Sequence, residues 1–149
     1  MIADLEAMQA ALAEAHLAAE AGEAPIGAVV VRDGAIVARG QNRVLRDLDP
    51  TAHAEIVALR AAVAAVGNYR LPGCTLYATL EPCAMCAGAM IHARLDRLVF
   101  AAADPKAGAA GAVLAVLNHP QLNHQMMVEQ GILAAEAAEL LRSFFRERR

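Results

Sequence analysis

The sequence predicts an α/β fold, a three-layer α/β/α sandwich built around a mixed five-stranded sheet. A helix-like segment opens the chain, and two strand-like segments flank an Asp33-Gly34 turn. Helix-like and strand-like segments then alternate to the end, which gives a sheet with helices on both faces. A length of 149 residues suits a single domain spanning 1–149.

The first half of the chain supplies a helix, a hairpin and a second helix. Apolar residues recur at helical spacing after the N-terminus, and the run IGAVVVR is typical of a buried strand. Gly22 and Gly67 are natural helix stops. The predicted elements are a helix over 3–21, strands over 26–32 and 35–41, a loop over 42–52 and a helix over 53–66.

The second half continues the alternation. The run CTLYATL predicts a third strand, and Pro82 favours a helix start because its missing N–H costs little there. The predicted elements are a strand over 74–80, a helix from 82 to about 93, a strand over 98–102, a glycine-rich loop over 104–111, a short helical piece over 113–117, a strand over 126–129 and a helix over 133–146.

Composition excludes several classes of protein. Hydrophobic residues make up 58% of the chain, with alanine in excess, which excludes disorder. Polar residues interrupt every long apolar stretch, so no transmembrane helix is expected. The N-terminal segment is acidic and lacks the basic start of a secretory signal.

Net charge argues against a general nucleic-acid binder. The formal charge is −3, whereas such proteins are usually basic. The distribution is uneven, because arginines cluster at the C-terminus. A local basic surface there is compatible with an acidic whole.

Three cysteines point to a reducing cytoplasm rather than a disulfide framework. Cys83 and Cys86 form a C-x-x-C pair, which indicates metal or redox chemistry. Cys74 lacks ligand spacing and is interpreted as a buried structural cysteine.

A metal site is predicted from His53, Cys83 and Cys86. Two thiolates at a strand-to-helix junction and one imidazole make three ligands, whereas structural zinc sites are nearly always closed by four. The fourth position is then free for water. Glu55 is two residues from His53 and does not share its helix face, so it is not expected to be a second ligand. If the two residues straddle the helix start, the Glu55 carboxylate can still reach that water and accept a proton. H-x-E with P-C-x-x-C is the signature of the zinc nucleobase deaminases.

The whole chain resembles the bacterial tRNA-specific adenosine deaminases of the cytidine deaminase-like superfamily. The segments that carry the resemblance are GEAPIGAV (22–29), DPTAHAE (49–55), NYRL (68–71), TLYATLEPCAMCAGA (75–89), GAAG (108–111) and the Phe144-Phe145 pair. The resemblance implies a zinc hydrolase, in the cytoplasm and dimeric, that converts adenosine to inosine at the wobble position of a tRNA (in bacteria an arginine tRNA). His53, Cys83 and Cys86 would hold one zinc ion per subunit, and Glu55 would shuttle protons.

The resemblance also assigns a substrate surface for the tRNA anticodon loop. Asn42 matches the residue that recognises the base, and Ala54 is also expected to bind the substrate. The residues expected to hold the anticodon loop are Arg70, Lys106, Asn123, Phe144, Phe145 and the C-terminal arginines, Arg149 among them. Phe144 and Phe145 cannot face the same way on a helix, so one of them is expected to be core.

Two other functions fit the same motifs. A deaminase of a free base or nucleoside, such as guanine or cytidine, would use the same zinc core. A structural zinc protein would need a fourth ligand, and the sequence offers no convincing one.

Overall fold

The computed structural model describes residues 1–148 and contains one mixed five-stranded sheet. The strands lie in the order β2-β1-β3-β4-β5. Strand β1 is antiparallel to β2 and β3, whereas β3, β4 and β5 run parallel. The elements are α1 (Asp4–Glu20), β1 (Gly27–Arg32), β2 (Ala35–Gln41), α2 (Ala54–Val66), β3 (Cys74–Leu80), α3 (Ala84–His92), β4 (Arg97–Ala102), β5 (Met127–Gln130) and α4 (Ala134–Arg146).

Helices cover both faces of the sheet, which confirms the three-layer sandwich. Side chains alternate along β3, so that Leu76 and Ala78 join one core while Tyr77 joins the other. The first core packs against α2 and α3, and the second against α1 and α4. Burial of alternate strand residues on both faces explains why the central strands are apolar throughout.

Helix α2 lies unusually close to β2 because Gly40 has no side chain. A Cβ at Gly40 would stand 2.5 Å from both the Ala54 carbonyl oxygen and the Ala58 amide nitrogen. Any larger residue would therefore push the helix backbone away from the sheet. This contact fixes the end of α2 that carries the predicted site residues.

The structure corrects the prediction of a short helix over 113–117. The segment forms turns and an isolated bridge between Ala110 and Ala115. Gly111 has a φ of 132°, and the Val116 amide donates to the Ala109 carbonyl rather than to the Ala112 carbonyl that a helix would use. Both features prevent a helical turn from starting there.

Other element boundaries agree with the predictions within one or two residues. The boundary that matters most for the candidate site is the start of α3. This helix begins at Ala84, two residues after Pro82, where the sequence predicted its start. Cys83 is the extended N-cap residue, with φ −75° and ψ 175°. Within residues 1–148, no helix is both long enough and apolar enough to cross a membrane.

A polar network ties the first helix to the sheet. Arg97 donates to both oxygens of Asp4, at 2.9 and 2.6 Å, and also pairs with Glu129 at 2.8 Å. Tyr77 donates to Asp4 at 2.6 Å. The hydrogen bonds from Arg97 and then from Tyr77 lower the pKa of Asp4 to about 2.

Asp4→Asn is expected to destabilise the protein at neutral pH and to have less effect in acid. Because the folded-state pKa of Asp4 lies below its ordinary value, its stabilisation is complete above about pH 5 and is lost as pH falls toward 2. Urea unfolding of both proteins from pH 7 to pH 2 measures this. Asp33→Asn, at a side chain 93% exposed, is the control. A difference in unfolding free energy between wild type and Asp4→Asn that stays constant from pH 7 to pH 2 would contradict this role of Asp4.

Candidate metal centre

Three side chains from two helix starts converge on one point. The Sγ atoms of Cys83 and Cys86 each lie 3.6 Å from Nδ1 of His53. All three ligand atoms lie within 4.8 Å of one another. The structure thus brings together the three residues that the sequence predicted as metal ligands.

Local turns deliver these ligands. The Oδ1 atom of Asp49 accepts hydrogen bonds from the amide and hydroxyl of Thr51, and the Thr51 carbonyl accepts the His53 amide at 2.8 Å. This Asx turn ends the loop that precedes α2, and His53 becomes the N-cap residue of that helix. Cys83 is likewise the N-cap residue of its helix, α3. The positive end of the helix dipole at this position favours a negatively charged sulfur.

The electrostatics of the three groups suit a cation. Burial lowers the pKa of His53, so its imidazole is neutral and able to donate a lone pair. Burial, followed by the nearby Glu55 and Cys83, raises the pKa of Cys86. A thiol in this environment ionises when a metal cation supplies the compensating charge. One imidazole nitrogen and two sulfurs are the donors that zinc accepts.

Glu55 lies in the first turn of α2, buried beside this cluster. Glu55 is only 4% exposed. Burial raises the pKa of Glu55 to about 7, against smaller opposing effects of its own backbone amide and the Cys86 thiol. A carboxyl group in such a place can accept and return a proton near neutral pH.

Asn42 follows β2 and is also buried. Within residues 1–148, its Oδ1 atom has no hydrogen-bond partner. The backbone carbonyl oxygen of Asn42, by contrast, accepts a 2.7 Å hydrogen bond from the Arg46 guanidinium. That guanidinium also donates to the Glu23 carboxylate. A buried acceptor without a partner is unfavourable unless another molecule supplies the donor.

Lys106 and the last helix line a common groove of about 780 Å³. Phe145 is half exposed there, whereas Phe144 is buried, as expected for one of the pair. Arg148 stacks on the Phe144 ring at 3.5 Å. The groove residues are Lys106, Leu141, Arg142, Phe145, Arg146 and Arg148.

The remaining predicted substrate residues lie outside this groove. Arg70 is exposed and stacks on Tyr69, and the exposed Asn123 accepts a hydrogen bond from Arg94. Ala54 is buried as the first residue of α2. Arg149 lies outside the described residues.

Sequence reasoning missed two buried carboxylates that organise the site. Glu23 accepts the amides of Leu45 and Arg46, which holds the loop after Asn42. Glu81 accepts three amides from the segment that carries Lys106. The available signal was an acidic residue placed inside an apolar segment in each case.

Comparison with known proteins places the chain in one family. The MafB19-like deaminase family matches residues 2–149. A tRNA-specific adenosine deaminase of Agrobacterium fabrum is 49% identical over 142 residues, covering 95% of this chain and 93% of its own. The chain belongs to the tRNA-specific adenosine deaminase family. The enzyme of that name from Bacillus subtilis is 46% identical over 95% of this chain and 88% of its own.

Solved structures agree with this family assignment. A structure from a study of A-to-I editing by tRNA:A34 deaminases superposes with a TM-score of 0.88 and 47% identity, covering 91% of this chain and 98% of its own. A guanine deaminase from Nitrosomonas europaea has a TM-score of 0.81 but only 29% identity, over 97% of this chain and 85% of its own. The family and enzyme class predicted from the resemblance of the whole chain are confirmed.

Proposed function

We propose that this enzyme converts adenosine to inosine, with release of ammonia, at the wobble position of a tRNA, an arginine tRNA in bacteria. The observation that carries the proposal is the convergence of His53, Cys83 and Cys86 beside the buried Glu55, in a chain of this family. Each of these side chains has a separate task in the chemistry.

His53, Cys83 and Cys86 would hold one zinc ion. Their donor set matches catalytic zinc sites with three protein ligands, which keep one position open. When bound there, zinc lowers the pKa of a water molecule toward neutrality and so supplies a hydroxide nucleophile. The protein's own contribution is to fix the three ligands at two rigid helix starts.

Glu55 moves the protons of the reaction. It takes one proton from the attacking water and gives it to N1 of the adenine ring while the water oxygen bonds to C6. It then carries the second proton from that oxygen to the exocyclic amine. The C6–N bond breaks, ammonia leaves, and the base retains the proton on N1 as inosine.

Asn42 and Ala54 recognise the flipped nucleotide. The unpartnered Oδ1 of Asn42 is an acceptor for a donor on the substrate, and its hydrogen bond would remove the unfavourable burial. Ala54 lies between His53 and Glu55 in the chain and would contact the base beside them. An adenosine in an anticodon loop is already unpaired, so taking it out of the stack requires little energy.

The basic groove holds the anticodon loop. Lys106 and the arginines of α4 face phosphates, while the exposed Phe145 ring offers a surface for stacking. Arg70 and Asn123 contact the RNA beyond the groove. This local charge accounts for RNA binding by a chain whose net charge is −3.

The enzyme is a homodimer of the cytoplasm in this proposal. An apolar groove lies between α2 and α3, and Tyr69 at its edge is 70% exposed. Both helices begin at metal ligands, so a second copy on this face would stand beside the site. The residues that line the groove are Ile56, Leu59, Arg60, Val63, Tyr69, Ala89, His92 and Ala93.

A panel of substrates tests the proposal. The enzyme is incubated with the anticodon stem-loop of an arginine tRNA and, separately, with adenosine, cytidine and guanine, and each product is identified by mass. We expect deamination of the stem-loop and none of the free compounds. Deamination of guanine or cytidine alone would overturn the tRNA assignment in favour of a free-base enzyme, the activity named for the 29% identical structural neighbour.

A further inference from the structure

Glu81 is a buried carboxylate that directly follows the sheet strand β3. It directly precedes residues 82–86, which contain two of the proposed metal ligands and which we name the metal-ligand segment. Glu81 is only 3% exposed. Its two oxygens accept hydrogen bonds from the amides of Asp104, Ala110 and Ala112, at 2.9 to 3.0 Å. Hydrogen bonds from backbone amides to a carboxylate are strong, and these three donors lie 23 to 31 residues beyond Glu81 in the chain.

The chain around these amides packs directly on Glu81. A Cβ at Gly108 would overlap the carboxylate group, so only glycine leaves it room. The Ala109 amide donates to the Pro82 carbonyl at 2.8 Å. The loop over 104–112, which we name the lysine loop, is thus fastened to residues 81–82 along its length.

Lys106 stands at the exposed tip of the lysine loop. The Oδ1 atom of Asp104 accepts the amides of Lys106 and Ala107, which folds the tip into a turn. Since the Asp104 amide is one of the three that Glu81 holds, the position of this turn depends on Glu81. The Lys106 side chain then lines the groove formed with α4.

We propose that Glu81 is a positioning residue that holds the lysine loop against the metal-ligand segment, so that Lys106 is set for a phosphate of the anticodon loop. This inference rests on the proposed function. Glu81 does not touch the RNA in this account. Its effect on RNA affinity is transmitted through the lysine loop.

A double-mutant cycle between Glu81 and Lys106 tests the inference. Binding of a fluorescent anticodon stem-loop is measured by anisotropy over a range of salt, with every protein carrying Glu55→Ala so that the RNA is not consumed. Lys106→Ala is expected to weaken binding about tenfold and to lower the salt slope by about one. In Glu81→Gln, the side-chain NH₂ replaces one of the two oxygens that accept the backbone amides of the lysine loop. We expect a similar loss of RNA affinity, with unchanged zinc content.

The decisive outcome is non-additivity. After Glu81→Gln, Lys106→Ala should weaken binding by less than twofold further, because the lysine is already misplaced. Glu23→Gln is the matched control, since Glu23 is equally buried and also accepts backbone amides, but from the loop after Asn42. In that background Lys106→Ala should keep its full effect.

Gly108→Ala provides a second route if Glu81→Gln folds poorly. It keeps the carboxylate but forces a methyl group against it, and it should reproduce the loss of affinity and the non-additivity. A full Lys106 effect in both the Glu81→Gln and Gly108→Ala backgrounds would overturn the role of Glu81 while leaving RNA binding intact. Failure of the parent protein to bind the stem-loop would instead overturn the proposed function, and this inference with it.

Discussion

Glu55→Gln is expected to lower kcat for adenosine deamination by about 10³-fold while leaving the zinc content unchanged. Glutamine has the same shape as glutamate and fits the same buried position, which is 4% exposed. It cannot, however, accept a proton from water or deliver one to the base. The three side chains proposed to bind the metal come from other positions and stay in place.

The measurement is single-turnover deamination of the anticodon stem-loop, with metal content determined by atomic absorption. Glu55→Ala should behave like Glu55→Gln, because both remove the proton carrier. Glu20→Gln, at the exposed end of α1, is the control and should retain full activity. Activity of Glu55→Gln within tenfold of wild type would remove Glu55 from its proposed role.

Cys86→Ala is expected to abolish metal binding and deamination, whereas Cys74→Ala should preserve both. The two cysteines are matched because each is fully buried in the same apolar core. Of these two, Cys86 has its Sγ 3.6 Å from Nδ1 of His53, whereas the Cys74 thiol faces the Pro72 carbonyl oxygen. Loss of a direct ligand should reduce zinc affinity by more than the 10–100-fold typical of a residue that merely supports a ligand.

Zinc per chain and activity before and after dialysis against a chelator measure this difference. Both alanine variants lose a buried sulfur, so any modest loss of stability should be shared. Cys86→Ala protein that keeps stoichiometric zinc would contradict the three-ligand site. So would loss of zinc from Cys74→Ala protein that is still folded.

The sequence predicts most of the fold because its signals are local. Alternation of apolar segments, the Asp33-Gly34 turn and the helix stops at Gly22 and Gly67 place nearly every element within two residues. The cluster proposed to bind the metal is equally predictable, since Cys83 and Cys86 share one helix start and His53 precedes another. Spacing along the chain is enough to predict such a cluster.

Features that depend on distant contacts could not be predicted in this way. Residues 113–117 look helical by composition, but the Val116 amide donates to the Ala109 carbonyl, in the loop that Glu81 holds. The roles of Glu23 and Glu81 are set by amides more than 20 residues away. The groove between Lys106 and α4 likewise forms only after the sheet has brought the two segments together.

The position of inosine in a full-length arginine tRNA is the strongest test of wobble-adenosine deamination by this enzyme. The tRNA is treated with the enzyme, digested to nucleotides and oligonucleotides, and mapped by mass for the exchange of an amino group for oxygen. We expect inosine at the wobble position and at no other adenosine, with none formed by the Glu55→Gln protein. An unmodified wobble adenosine, or inosine spread over several positions, would contradict it.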